Sequence, residues 1–348
     1  MSLEVTITKR LNTFTLDVSF TSKQGPLALL GASGSGKSMT LKCIAGLERP
    51  DKGRIVLGDR VLFDSEQGID LPPQARRVGY LFQQGALFPN MTVAENLTIA
   101  MRCPAAEKPS RLKDLVQRFQ IEGLENSRPR ALSGGQQQRA ALARLIASEP
   151  ELLLLDEPFS ALDDYLAWQL EEELRAVLQT ASGRAILVTH DRGEAYRLAR
   201  RIAVIERGQL EAMADREALF SAPGTRASTL LTGCKNVSAA KKIGAHEIHA
   251  ADWNLDLETA AAVPDDLRYV AIRAHHLHPV DMEASSALPP NTFDFPICER
   301  IENVFSTILM IGGDHPIRYE TDVLPEHIQR GTTIRLALPP EHLMLLTR

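Results

Sequence analysis

One run of residues, Gly31-Ala32-Ser33-Gly34-Ser35-Gly36-Lys37-Ser38, restricts what this chain can fold into more than any other stretch. It follows the continuous apolar run Pro26-Leu27-Ala28-Leu29-Leu30, which reads as a strand buried on both faces, and it opens a helical pattern. In that strand–loop–helix setting the spacing G-x-x-x-x-G-K-[S/T] predicts a cradle for a nucleoside triphosphate. Glycines let the backbone turn tightly and aim N–H groups at phosphate oxygens, and the helix N-terminus adds a favourable dipole. Gly31, Ala32, Ser33, Gly34, Ser35 and Gly36 then surround the phosphates. Lys37 reaches the β- and γ-phosphates, and the Ser38 hydroxyl is a ligand for Mg²⁺.

The same alternation continues downstream. Leu152-Leu153-Leu154-Leu155, Ala185-Ile186-Leu187-Val188 and Ile202-Ala203-Val204-Ile205 are further apolar runs, the last closed by the turn-like Glu206-Arg207-Gly208. Helical patterns lie between them at 137–147 and 166–178. This layout predicts an α/β fold with a largely parallel sheet and helices on both faces. The opening differs: Phe14, Leu16, Val18 and Phe20 alternate with polar residues, the mark of a half-exposed antiparallel strand. Domains are expected over 1–230 and 235–348, with the break near Ser221-Ala222-Pro223-Gly224. In the tail, runs at 269–273, 304–311, 316–319 and 333–338 punctuated by Pro and Gly predict a small OB-like all-β barrel.

At 348 residues the chain is too long for one ordinary core. A net charge of −5 argues against a surface built for polyphosphate backbones, so no nucleic-acid partner is expected. Cys43, Cys103, Cys234 and Cys298 are scattered, with no metal-like or redox-like pair, and read as reduced thiols of a cytosolic protein. No apolar run approaches the roughly 20 residues that span a bilayer. The opening Met1-Ser2-Leu3-Glu4-Val5 has no secretory pattern. Any work at a membrane is expected to run through partners.

Two more segments can carry chemistry. The 152–155 run ends in Asp156 and Glu157. Alone, two acids after a strand would be ordinary loop residues. Beside a phosphate cradle, Asp156 is placed to hold the Mg²⁺ shell, directly or through a water, and Glu157 to act as general base toward an attacking water. Leu132-Ser133-Gly134-Gly135-Gln136 precedes a helical pattern containing Ala140, Leu142, Ala143 and Ile146. Ser133 suits an N-cap, and Gly134 and Gly135 allow a phosphate to approach the helix N-terminus. Taken alone, these residues leave an ordinary capped helix start as the lesser alternative.

Leu132 through Gln136 match the signature of ATP-binding cassette proteins letter for letter, and the other motifs follow in that family's order. The chain resembles the family over 1–230. The resemblance implies a P-loop NTPase cassette: a mixed, mainly parallel sheet, an antiparallel β subdomain and a helical subdomain at about 88–150. It implies ATP and Mg²⁺ as cofactors. Gln83, in Tyr80-Leu81-Phe82-Gln83-Gln84, resembles the Q-loop glutamine that touches Mg²⁺ and the attacking water. Ser160-Ala161-Leu162-Asp163 resembles the D-loop, whose Asp163 meets the other subunit, and His190 the switch histidine at the γ-phosphate. Phe14 resembles the aromatic that stacks on adenine, although its alternation with Leu16, Val18 and Phe20 also suits a core residue. The family arrangement joins two copies head to tail, each ATP lying between 31–38 of one copy and Ser133, Gly134, Gly135 and Gln136 of the other. Transmembrane permease subunits would dock near Gln83 and Leu87-Phe88-Pro89, at the cytoplasmic face of the membrane, with a substrate-binding protein as an indirect partner.

Gly68-Ile69-Asp70-Leu71-Pro72-Pro73, Arg76-Arg77-Val78-Gly79-Tyr80 and Ala86-Leu87-Phe88-Pro89 resemble molybdate importer ATPases, as does the short hairpin at 9–16. The same regions also resemble sulfate, iron, polyamine and maltose importers. Two departures are small: Gln84 stands where an acid or asparagine is frequent, and Met39 where threonine is frequent. The tail resembles the OB-like TOBE domains of importer ATPases, through Asp252-Trp253-Asn254-Leu255 and Ile272-Arg273-Ala274-His275, and shows no convincing oxyanion loop. A strand at 275–278 would put His276 and His278 on one face and His275 opposite, which does not complete a metal set. An ATPase energising import of an oxyanion, molybdate or tungstate first, is therefore expected, with sulfate or thiosulfate and other importer substrates as alternatives. A soluble cassette ATPase without a permease is the alternative of a different class; tandem cassettes or a long coiled-coil insertion, which would favour it, are not present.

Overall fold

Each apolar run becomes a strand of one sheet. Its strands are β1 (Leu3–Arg10), β2 (Thr15–Ser22), β3 (Leu27–Leu30), β4 (Lys52–Leu57), β5 (Arg60–Asp64), β6 (Ile69–Asp70), β7 (Val78–Leu81), β8 (Leu152–Asp156), β9 (Ala185–Thr189), β10 (Arg201–Glu206) and β11 (Gln209–Asp215). The helices are α1 (Lys37–Ala45), α2 (Pro73–Arg76), α3 (Val93–Ala100), α4 (Lys108–Arg118), α5 (Gly134–Ala147), α6 (Asp164–Thr180) and α7 (Arg192–Leu198). This computed structural model describes all residues except Met1, Gln24, 84–86, Ala161, 181–183, 282–287 and 323–328. Gln84, Ala86 and Ala161 of the segments quoted above thus lie outside the described residues. Contacts divide the chain into two units, Met1–Arg216 and Glu217–Arg348.

The eleven strands of the first unit run in the order β6-β5-β4-β1-β2-β11-β10-β3-β9-β8-β7. From β10 through β3, β9 and β8 to β7 every neighbour is parallel, whereas β6 to β2 pair antiparallel. The sheet is therefore mixed, with its parallel half where the continuous apolar runs predicted it. β8 shows why such a run has no alternation. Leu152 and Leu154 pack with Leu41 and Ile44 of α1, while Leu153 and Leu155 pack with Leu142 of α5 and Leu174 of α6. Each leucine buried in this way contributes about 1.5–3 kcal/mol. The chain between β7 and β8 holds α3, α4 and α5, the helical part expected at about 88–150.

Arg76, at the end of α2, is 0% exposed. Its Nη1 donates to Cys43 O at 2.8 Å and Ile44 O at 2.9 Å, its Nε to Leu71 O at 2.7 Å, and its Nη2 to Asp70 Oδ1 at 2.9 Å. The guanidinium thus occupies the last carbonyls of α1, groups that a helix leaves without intrahelical donors, and adds positive charge at the negative end of the helix. Arg76→Met is expected to cost about 3 kcal/mol, because buried carbonyls lose their donors. Urea unfolding should show a lower midpoint at unchanged slope.

In the second unit α8 (Arg216–Ser221) and α9 (Arg226–Leu231) precede, among the described residues, ten strands, β12 (Asn236–Lys242), β13 (Glu247–Ala250), β14 (Leu255–Glu258), β15 (Tyr269–Ile272), β16 (His278–Pro279), β17 (Thr292–Glu302), β18 (Thr307–Ile311), β19 (Ile317–Thr321), β20 (Thr333–Ala337) and β21 (Met344–Leu346). They form two five-stranded sheets, β14-β13-β12-β15-β21 and β16-β20-β17-β18-β19, around Ile248, Val270, Leu309 and Leu336. The division at 216/217 falls ahead of the expected 230/235 break. The reason is that the short helices are tied to the later strands: Arg273 Nη2 donates to Phe220 O at 2.5 Å, and Arg226 N–H to Arg348 O at 2.7 Å. Asp252 accepts from Ala239 N–H at 2.7 Å, and Trp253 covers the core beside it.

The histidines depart from a single strand. Ala274–His276 is a 3-10 turn, and only His278 enters β16. The His276 ring stacks on His342, with centroids 4.0 Å apart. Burial, with His342 and His275 adding to it, lowers the His276 pKa to about 4. Among the described residues no group of three or more His, Cys, Asp or Glu is arranged to hold a metal ion.

Candidate active site

The loop at 31–36 joins β3 to α1. Gly31 passes so close to β10 that a Cβ there would lie 2.2 Å from Ile205 O. Gly36 takes φ 107° as the N-cap of α1, a left-handed conformation that glycine adopts without strain. Ala32, Ser33 and Gly34 face solvent, whereas Ser35 is buried and its Oγ, beside Gly31, has no hydrogen-bond partner among the described residues. A ligand oxygen there would remove the cost of that orphaned hydroxyl.

Lys37 is 3% exposed and curls back over its own loop, its Nζ donating to Gly31 O and Ala32 O at 2.8 Å each. Burial lowers its pKa, and the nearby Glu157 and Asp156 oppose that shift. Ser38 Oγ donates to Asp156 Oδ1 at 2.7 Å. The other Asp156 oxygen accepts from Tyr80 OH at 2.8 Å. Burial, then Asp156, pushes the Tyr80 phenol well above its ordinary pKa, so it remains a donor.

Glu157 lies immediately past β8 with φ 46°, a conformation uncommon for a residue with a side chain, and its N–H donates to Val188 O of β9 at 3.0 Å. Its carboxylate lies between two of the residues named from sequence. Gln83 Nε2 donates to Glu157 Oε2 at 3.2 Å, and His190 Nδ1 lies 3.4 Å from Glu157 Oε1. The parallel order β7-β8-β9 makes this meeting possible, since Gln83, Glu157 and His190 each follow one of three neighbouring strands. Ser38, Asp156 and Gln83 supply hydroxyl, carboxylate and amide oxygens, a donor set suited to a hard divalent cation such as Mg²⁺.

Other predicted residues are not gathered here. Ser133 caps α5 in a reciprocal box: Gln136 N–H donates to Ser133 Oγ at 3.3 Å, and Ser133 N–H to Gln136 Oε1 at 2.9 Å. Asp163 caps α6, accepting from Leu166 N–H at 2.9 Å. Among the described residues no hydrogen bond joins Ser133, Gly134, Gly135, Gln136 or Asp163 to the loop at 31–38. Phe14 is half-buried, packs on the core of β1 and β2, and lies beside Gly36 and Gly208. Met39 likewise packs on that core.

Tyr80, Gln138 and Asn96 were missed by sequence reasoning. Gln138, 3% exposed, donates to Pro158 O at 2.7 Å and so ties α5 to the segment after Glu157. Asn96, fully buried on α3, accepts from Phe88 N–H at 2.7 Å and donates to Thr92 O at 2.9 Å. It thereby holds the half-exposed Phe88, over whose ring Arg144 lies at 4.0 Å. For Asn96 the available signal was an amide inside the mainly apolar helical run Val93–Ala100.

A glycine-rich loop between a parallel strand and a helix, with two carboxylates ending the strand beside it, defines a P-loop nucleotide-binding fold. The ABC transporter family profile matches residues 15–160. The chain is 40% identical over 228 residues to the molybdenum import ATP-binding protein of Paramagnetospirillum magneticum, covering 65% of this chain and 63% of that protein. It is 39% identical over 273 residues to the sulfate/thiosulfate import ATP-binding protein of Mesorhizobium japonicum, covering 76% and 77%. It is also 44% identical to an Fe(3+) ions import ATP-binding protein of Haemophilus influenzae over 56% of each chain. The dimeric post-hydrolysis ATP-binding cassette MJ0796 bound to ADP and Pi superposes with a TM-score of 0.54 at 28% identity, covering 62% of this chain and 99% of that one. The chain belongs to the ABC transporter family. Its match spans less than two thirds of the molybdenum relative's length.

Proposed function

We propose that this chain hydrolyses ATP to drive import of an oxyanion, molybdate or tungstate first, through separate transmembrane permease subunits. The observation that carries the hydrolytic part is Glu157, held between Gln83 and His190 next to the Ser38–Asp156 pair. In this reading Lys37 leaves its loop carbonyls for the β- and γ-phosphate oxygens. Glu157 orients a water and takes its proton as the water oxygen bonds to the γ-phosphorus, and the bond to the β-phosphate oxygen breaks to leave ADP and phosphate. His190 and Gln83 fix the carboxylate and the water. Mg²⁺, held by Ser38, Asp156 and Gln83, would neutralise phosphate charge. Phe14 stacks on the adenine, beside Gly36.

Ser133, Gly134, Gly135, Gln136 and Asp163 are assigned to the ATP of a second copy. The dimeric cassettes among the structural relatives support this. The permease is proposed as a separate chain, engaged at Gln83 and Phe88, with this subunit at the membrane's cytoplasmic face; the import ATP-binding relatives support this. The second unit is proposed as an accessory TOBE-like domain. The molybdenum and sulfate/thiosulfate relatives support an oxyanion.

Proteoliposomes holding this chain with its permease and binding protein test the reading. Molybdate or tungstate is expected to raise ATP turnover severalfold. Stimulation by Fe(3+), a sugar or a polyamine, with none by molybdate, tungstate or sulfate, would refute the oxyanion.

A further inference from the structure

We infer that Tyr80 is a positioning residue for the metal-binding carboxylate: its hydroxyl pins one oxygen of Asp156, so that the other is presented to Ser38 and to a divalent cation. The inference rests on the hydrolytic reading above. Tyr80 lies on β7, opposite Leu154 of β8 in the parallel register, and its long side chain reaches the end of that strand. Its ring packs against Phe82, with centroids 4.5 Å apart.

Asp156 is 6% exposed, and each of its oxygens has one donor: Ser38 Oγ at 2.7 Å on Oδ1 and Tyr80 OH at 2.8 Å on Oδ2. A carboxylate with a single donor is free to swap its equivalent oxygens by rotating its terminal torsion, which has broad twofold wells. Two donors leave one orientation. If Ser38 turns its oxygen toward a cation, Oδ1 is released in the same direction while Tyr80 keeps Oδ2 in place. The second donor thus pre-sets the carboxylate for the metal at no reorganisation cost when the metal arrives, as supporting hydrogen bonds do around other metal ligands.

Tyr80→Phe in the full chain keeps the ring and removes only the donor. Mn²⁺, followed by electron paramagnetic resonance, serves as the probe. In the presence of ATP the Mn²⁺ affinity is expected to fall about tenfold, the loss that accompanies one hydrogen bond to a charged group. ATP binding in EDTA is expected to change by less than about twofold, since no Asp156 ligand is then at stake. Unchanged Mn²⁺ affinity would overturn the inference. So would equal losses of Mn²⁺ and metal-free ATP affinity, which would mark Tyr80 as a packing residue of β7. Ser38→Ala separates the two readings. If it loses Mn²⁺ while Tyr80→Phe does not, the hydrolytic site stands and Tyr80 has no part in positioning. If the unaltered chain fails to bind Mn²⁺ with ATP, both readings fall.

Discussion

Glu157→Gln is expected to slow ATP turnover by about a hundred- to ten-thousandfold, the range for loss of a positioned general base. The amide keeps the shape of the carboxylate and leaves an oxygen for the Gln83 amide, which lies 3.2 Å away. It cannot take a proton from water. ATP binding should persist, because the loop at 31–38 and Lys37 are untouched. The unspent nucleotide should then hold two copies together. Size-exclusion chromatography with light scattering is expected to show a dimer that forms with ATP and is absent with ADP. A variant that binds ATP yet stays monomeric would count against the head-to-tail arrangement. One that still hydrolyses ATP at the original rate would remove Glu157 from the role of base.

Lys37→Ala should act at the earlier step. The ammonium is almost wholly enclosed, and among the described residues its only hydrogen bonds are to Gly31 O and Ala32 O. Burial has already lowered its pKa, so the empty protein carries the cost of keeping a charge there. A residue held at a cost to the fold is one that its ligand can reward. Removing it is expected to weaken ATP binding by about a hundredfold, through lost charge-assisted contacts to phosphate, and to abolish detectable turnover. The nucleotide-free protein should lose no more than about 1 kcal/mol of stability. Thermal unfolding with and without ATP would read both: a midpoint near that of the unaltered chain, and no rise on adding nucleotide. A full ATP-induced rise would show that Lys37 does not bind phosphate.

Much of this site was legible in the sequence for a definite reason. The phosphate loop, the acid pair after 152–155 and the histidine after 185–188 all sit at ends of continuous apolar runs. Strands buried on both faces must be apolar throughout, so their ends stand out in the chain. The pairing of those strands then brings Gln83, Glu157 and His190 together. Residues whose roles depend on partners distant in sequence were not legible. Arg76 reads as one of two surface arginines until α1 supplies the carbonyls it caps. Tyr80 reads as an ordinary strand aromatic until Asp156 arrives from β8. Pro223 and Gly224, near which the break was expected, lie in a turn between two short helices, and the contacts divide the chain at 216/217.

The helical part is spliced into the sheet at its outermost pair: it leaves the C-terminal end of β7 and returns at the N-terminal end of β8, and β7 is the last strand of the sheet. Load taken up by the helices therefore enters the framework at its rim, through a strand that among the described residues has a neighbour on one side only. Such a strand bends without disturbing the ladder from β10 to β8. Tyr80 and Gln83 belong to that strand and its exit, while Asp156 and Glu157 belong to the braced strand beside it. A tilt of the rim would change the spacing between those acids and the donors Tyr80 and Gln83 that hold them, which makes this edge a gauge of strain in the sheet.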